Sequence, residues 1–233
     1  MTDDENPQQN VSFSSNGGSA HGYLAVPSAG SGPGLIVIQE WWGLTSHIKD
    51  LTDRFAAEGF VSLAPDLYGG KTTHDAEEAG ALMQELPAAR AAQDLAGAVD
   101  YLLALPEVTG DQVGAVGFCM GGGFVLTLAE QQGDRVSAAV PFYGVMAEVP
   151  ADLSNLSAAV QGHYGSEDAF VPVDGVEALA SQLETQTGHA PEIHFYPAGH
   201  AFLNDENLLG TYDAAQATIA WDRAVAFLHQ HLG

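Results

Sequence analysis

Basic side chains are scarce in this chain. It holds 6 lysines and arginines against 30 aspartates and glutamates, a formal net charge of −24, and the only lysines are Lys49 and Lys71. Nucleic acids and anionic membranes are bound through positive footprints, so neither is expected as a partner. The acids are spread along the chain, which reads as a solvated surface that stays soluble where salt screens self-repulsion. A salt-rich cytoplasm is the expected habitat, with no bearing on the reaction. Cysteine is scarcer still: Cys119 stands alone. It permits no internal disulfide and no thiolate metal cluster, so any chemistry it has is that of a single thiol. Long apolar runs are missing too. Stretches such as Gly34-Leu35-Ile36-Val37-Ile38 fall far short of the roughly 18 residues of a membrane helix. The opening MTDDENPQQN has neither the positive start nor the apolar stretch of a signal peptide, so a cytoplasmic protein is expected.

What is present is enough to fold. The 233 residues are 46% hydrophobic, which supports a sizeable core. Residues 1–10 read as a loose acidic tail and 11–233 as a single domain. Asn16-Gly17-Gly18 lies between two strand-like stretches and marks an antiparallel hairpin. Beyond it, short apolar strands are expected at 34–39, 60–64, 113–118, 138–143, 158–164 and 191–196. Helical patterns fall at 46–58, 76–86, 88–104, 121–132, 172–187 and 211–231. Apolar strands alternating with amphipathic helices imply an α/β fold, a mostly parallel sheet with helices on both faces.

In such sheets functional residues gather at the carboxyl ends of the strands. Glu40, Trp41 and Trp42 follow the first of these core strands, and Tyr68 comes soon after the second. Cys119 follows the third, Tyr143 ends the fourth, Asp168 follows the fifth and His200 the last. A lone cysteine is usually an inert small hydrophobe, an isolated aspartate a loop acid or helix cap, and His163 and His194 inside strands are packing residues. Cys119 has a different setting. It stands in Gly117-Phe118-Cys119-Met120-Gly121, between a strand and a helix, which is the cysteine form of a nucleophile elbow. The glycines allow the sharp turn. The helix start offers N–H groups that favour an anion, and the Met120 N–H is positioned for an oxyanion. His200 would take the thiol proton and Asp168 would fix the imidazole. The chain order of nucleophile, acid and histidine is that of α/β-hydrolases.

Several segments, spread from about residue 11 to the end, resemble the dienelactone hydrolase family of α/β-hydrolases. They are Gln39-Glu40-Trp41-Trp42-Gly43, Pro65-Asp66-Leu67-Tyr68, Gly117-Phe118-Cys119-Met120-Gly121-Gly122, Phe142-Tyr143-Gly144, Gly165-Ser166-Glu167-Asp168 with Val171-Pro172, and Gly199-His200-Ala201-Phe202. The resemblance implies an α/β-hydrolase fold, a Cys119–His200–Asp168 triad, and hydrolysis of an enol lactone through a thioester with no metal or organic cofactor. It also implies that Glu40 holds the resting thiol and that the Trp41 N–H is the second oxyanion donor. The family grips its substrate carboxylate with two arginines. Four residues past His200 stands Asn204, and near the other position the only arginine is Arg90. That leaves two substrate readings, a neutral lactone or small ester, or a dienelactone bound in another way. Trp42, Tyr68, Tyr143, Phe202 and Asn204 are the candidate pocket residues. A monomer or small homo-oligomer is expected. The rival reading is a catalytically idle α/β-hydrolase-fold protein that binds a small ligand or a partner.

Overall fold

A computed structural model of the protein describes residues 8–144, 147 and 149–233. Of the tail expected over 1–10, residues 1–7 lie outside the described residues. Gln9 and Asn10 are tied down: Gln9 Nε2 donates to Asp66 Oδ2 at 2.7 Å, and the Leu24 N–H donates to Asn10 Oδ1 at 2.7 Å. By its internal contacts the chain divides into two compact units, one ending at Val113 and the other running Gly114–Gly233.

The first unit opens with β1 (Val11–Ser15) and β2 (Gly18–Ala25), paired antiparallel. The hairpin turns on Asn16 and Gly17, at φ 44° and 77°. Two successive positive φ values are what a two-residue turn matched to strand twist requires, and Asn-Gly tolerates them best. Then come β3 (Gly32–Ile38), α1 (Ser46–Ala57), β4 (Val61–Pro65), α2 (Ala76–Glu85) and α3 (Ala88–Ala104). The strand order is β1-β2-β4-β3, with β2 antiparallel to β4 and β3 parallel to it. Helix α1 buries Ile48, Leu51, Phe55 and Ala56, the three-to-four spacing of one apolar face. Helix α2 is capped by Asp75, whose carboxylate accepts the Glu77 and Glu78 N–H groups, an arrangement worth about 1 kcal/mol.

Strand β5 (Val108–Phe118) begins in the first unit and ends in the second. The second unit continues with α4 (Met120–Gln132), a short 3-10 turn at Gly133–Arg135, β6 (Val136–Phe142), β7 (Ala159–Gly165), α5 (Val173–Thr187), β8 (Glu192–Tyr196) and α6 (Ala214–Leu232). Its strand order is β5-β6-β7-β8, with β6–β7 and β7–β8 parallel. Helix α4 buries Met120–Leu126, Leu128 and Ala129; a helix apolar all round is a core helix. Every strand and helix expected from the sequence is present. The largest shift is in β5, which starts at Val108 where a start at 113 was expected; the added residues Thr109–Gln112 are solvent-exposed and give no apolar signal.

Candidate active site

Cys119 occupies the single position between β5 and α4, at φ 54° and ψ −117°. A side chain other than glycine in that region costs on the order of 1–3 kcal/mol and persists only where its surroundings enforce it. The enforcement is visible. The Cys119 N–H donates to the Phe142 carbonyl at 3.1 Å, and the Gly122 N–H donates to the Cys119 carbonyl at 3.0 Å. A Cβ at Gly117 would lie 2.2 Å from the Gly121 carbonyl oxygen, and one at Gly122 would lie 2.6 Å from Gly144 Cα. Only glycine lets the first turn of α4 close on the end of β5 and on the segment after β6. The thiol is free and partly exposed at the head of this turn.

The segment after β7 carries Asp168. The Ser166 N–H donates to the Tyr196 carbonyl at 2.7 Å and the Glu167 N–H to the Ala198 carbonyl at 3.0 Å. This ties the aspartate segment to the segment after β8. Asp168 Oδ1 accepts the Phe170 and Val171 N–H groups at 2.7 and 2.9 Å, and Oδ2 meets His200 Nδ1 at 2.7 Å. Its side chain has no exposed surface.

His200 lies beyond β8, next to Ala201 at φ 58°. Its carbonyl accepts the Thr211 hydroxyl, and the Asp213 N–H donates to the Phe202 carbonyl at 3.0 Å. The start of α6 thus staples the histidine loop. Tyr143 stands edge-on to the imidazole at 5.2 Å, and Phe170 approaches it at 5.1 Å. Burial alone would push the imidazole down, but the hydrogen bond and charge of Asp168, with the Cys119 side chain beside it, raise it to about 10. Imidazole and carboxylate form one buried, hydrogen-bonded pair, able to take up a proton and hold it.

A second histidine belongs to the same unit. His163, on β7, is fully buried, bonded through Nδ1 to the Tyr196 hydroxyl at 2.8 Å and through Nε2 to Gln161 Oε1 at 3.0 Å. It stacks on Phe142 at 4.4 Å. Burial first, then the charges of His194 and Arg223, hold its imidazole well below the usual range. It is a packing residue, as its place inside a strand implied.

The remaining candidates are placed as follows. Met120 is fully buried and opens α4. Tyr143 and Phe202 have no exposed surface, and Phe202 packs between Tyr143 at 5.6 Å and Tyr196 at 5.1 Å. Asn204 is buried, and its Oδ1 accepts the Glu206 N–H at 3.0 Å, closing its own loop. In the first unit, Glu40 is buried at the end of β3 and Trp42 is buried beside it, while Trp41 keeps partial exposure with its ring 4.9 Å from that of Trp42. Tyr68 is buried, and its N–H donates to Asp66 Oδ1 at 3.0 Å. The segments after β3 and β4 are joined by the Leu67 N–H donating to Gln39 Oε1 at 3.1 Å.

Residues 20–232 match the sequence profile of the dienelactone hydrolase family. The chain belongs to this family. Protein usf of Aquifex pyrophilus is 37% identical over 231 residues, which cover 96% of this chain and 99% of that protein. Carboxymethylenebutenolidase 1 of Cupriavidus pinatubonensis is 28% identical over 227 residues, 92% of this chain and 93% of its own length. Among solved structures, the dienelactone hydrolase-like promiscuous phosphotriesterase P91 from metagenomic libraries superposes with a TM-score of 0.83 at 26% identity, covering 96% of this chain and 97% of its own.

This dienelactone hydrolase family member therefore has the α/β-hydrolase fold with a mostly parallel sheet and antiparallel strands at its N-terminal end. Among the described residues no helix is long and apolar enough to cross a membrane, and no group of three or more His, Cys, Asp or Glu is placed to hold a metal ion. Two residues at the site escaped sequence reasoning. Phe170 falls in the gap between Asp168 and Val171-Pro172, and Thr211 lies eleven residues beyond the histidine it supports, outside any motif.

Proposed function

We propose that the protein hydrolyses a neutral lactone or small carboxylic ester through a thioester acyl-enzyme. The Cys119 proton passes to His200 Nε2, whose raised imidazole holds it beside Asp168, and the thiolate sulfur then attacks the carbonyl carbon. The Met120 N–H meets the tetrahedral oxyanion, and the family resemblance implies the Trp41 N–H as the second donor. The oxyanion collapses by breaking the carbon–oxygen bond; the leaving oxygen takes the proton from His200. In a lactone that oxygen stays attached to the acyl chain. Water then attacks the thioester, gives a proton to His200, and the acid departs as the thiol is regenerated. The family resemblance implies that Glu40 holds the resting thiol until substrate binds.

The observation that supports this reading is the 2.7 Å contact of His200 with Asp168, together with Cys119 at the head of a turn whose glycines cannot be replaced without collision. A neutral substrate is favoured because Asn204, an uncharged amide, stands where the family resemblance implies an arginine. The reaction class agrees with the name of the Cupriavidus relative. We take residues 11–233 to act as one domain, in the cytoplasm, as a monomer or small homo-oligomer.

The test compares phenyl acetate and an enol lactone as substrates for wild type and Cys119→Ala. Loss of both activities in the variant is expected. Equal rates, with a thiol inert to iodoacetamide, would instead favour an idle binding protein.

A further inference from the structure

Phe170 is 64% exposed, more than any other large hydrophobic residue among those described; the next are Ile219 at 43% and Val26 at 42%. A single exposed apolar side chain needs no explanation in itself. This one has three features that set it apart. Its ring stands 5.1 Å from the imidazole of His200. Its N–H is fixed at 2.7 Å by the carboxylate that orients that imidazole. The next residue, Val171, is fully buried among Tyr164 and Val176, so the backbone under Phe170 is anchored in the core. The ring is thus presented to solvent from a rigid support, beside the group that moves the proton.

From this placement we infer that Phe170 is the residue that selects the leaving group, and that it favours an aromatic or bulky apolar one. The inference rests on the hydrolytic reading proposed above. Asp168 occupies Nδ1 of His200, so the proton passes through Nε2. The departing oxygen must then lie about 3 Å from Nε2, and what that oxygen carries is held against the same imidazole that Phe170 approaches at 5.1 Å. An apolar substituent there covers the exposed face and excludes water from the histidine. A charged or strongly hydrated one would lose its solvent without a partner. The substrates expected are esters of aromatic or branched alcohols, or lactones with apolar substituents on the alcohol side of the ring.

Benzyl acetate and methyl acetate test this, because they share the acyl group and their alcohols are of similar acidity. The quantity read is the ratio of kcat/KM for the two esters. Wild type is expected to prefer the benzyl ester. Phe170→Ala should lower the ratio about tenfold, and Phe170→Leu should keep most of it. An unchanged ratio in Phe170→Ala overturns the inference. So does an equal loss on both esters, which would make Phe170 only a support for His200. Parallel assays of Cys119→Ala separate this failure from failure of the mechanism: if the two esters are hydrolysed independently of Cys119, or not at all by wild type, the hydrolytic reading falls and the inference with it.

Discussion

Asp168 and His200 share a 2.7 Å contact in which the carboxylate uses only one of its oxygens. The other oxygen accepts the N–H groups of Phe170 and Val171. One side chain therefore charges the imidazole and shapes the loop that carries Phe170, and the two tasks can be separated by substitution. Asp168→Asn keeps a carbonyl oxygen for the loop and removes the charge. We expect kcat/KM on phenyl acetate to fall on the order of 10²–10⁴-fold, with the loss of stability at neutral pH confined to the lost pairing of carboxylate and imidazolium. Asp168→Ala should lose as much activity and also about 1–3 kcal/mol of stability, because two backbone donors lose their acceptor. Denaturant titration of the two variants measures the difference.

Stability should pass through a maximum near neutral pH. The His200 imidazole is raised from 6.5 to about 10. A raised histidine contributes stability that is fully present below its unfolded value and is lost as pH climbs through the folded one. That contribution therefore fades between about pH 6.5 and 10. His163 is shifted the opposite way. The unfolded chain takes up a proton there below about pH 6.5 while the buried ring, facing Tyr196, Gln161, His194 and Arg223, does not. Stability is lost on that side as pH falls. Thermal melts across the range should show both limbs, and Asp168→Asn should flatten the alkaline one.

Gly122→Ala should damage the site through packing alone. The added methyl would sit 2.6 Å from Gly144 Cα and 2.8 Å from the Phe142 carbonyl oxygen. Both are backbone atoms and cannot swing aside. A loss of about 1–3 kcal/mol is expected, together with lower kcat, since the Cys119 N–H is bonded to that same Phe142 carbonyl. Melting temperature and ester turnover should fall together.

Thr211 is a positioning residue. Its hydroxyl holds the carbonyl of His200 next to the left-handed Ala201. Thr211→Val preserves the shape and removes the donor. We expect kcat to drop about 10–100-fold with KM nearly unchanged, and Thr211→Ser to restore it. A fall in stability with kcat intact would show a structural role only.

Much of this architecture was legible in the sequence where local chemistry leaves few options. Asn16-Gly17 announces its turn because few other residues accept two positive φ values. The strand ends at Cys119, Asp168 and His200 could be read because each follows a short apolar run. The first residues of β5 could not, since Thr109–Gln112 face solvent and show no alternation. Nor could the split between Trp41 and Trp42, two identical side chains with opposite burial. Phe202 and Tyr143 sit at motif positions yet carry no exposed surface; a motif marks a place in the chain, and only packing decides which way a ring turns. Phe170 and Thr211 act through spatial contacts that no spacing encodes.

The central claim is that Cys119 carries the acyl group. Mixing the protein with excess p-nitrophenyl acetate and following nitrophenolate release tests it, with intact mass spectrometry on quenched samples. A burst of about one equivalent per chain is expected, with an acetyl adduct that peptide mapping assigns to Cys119, and neither in Cys119→Ala. Acetyl on another residue, or undiminished turnover in Cys119→Ala, would contradict it.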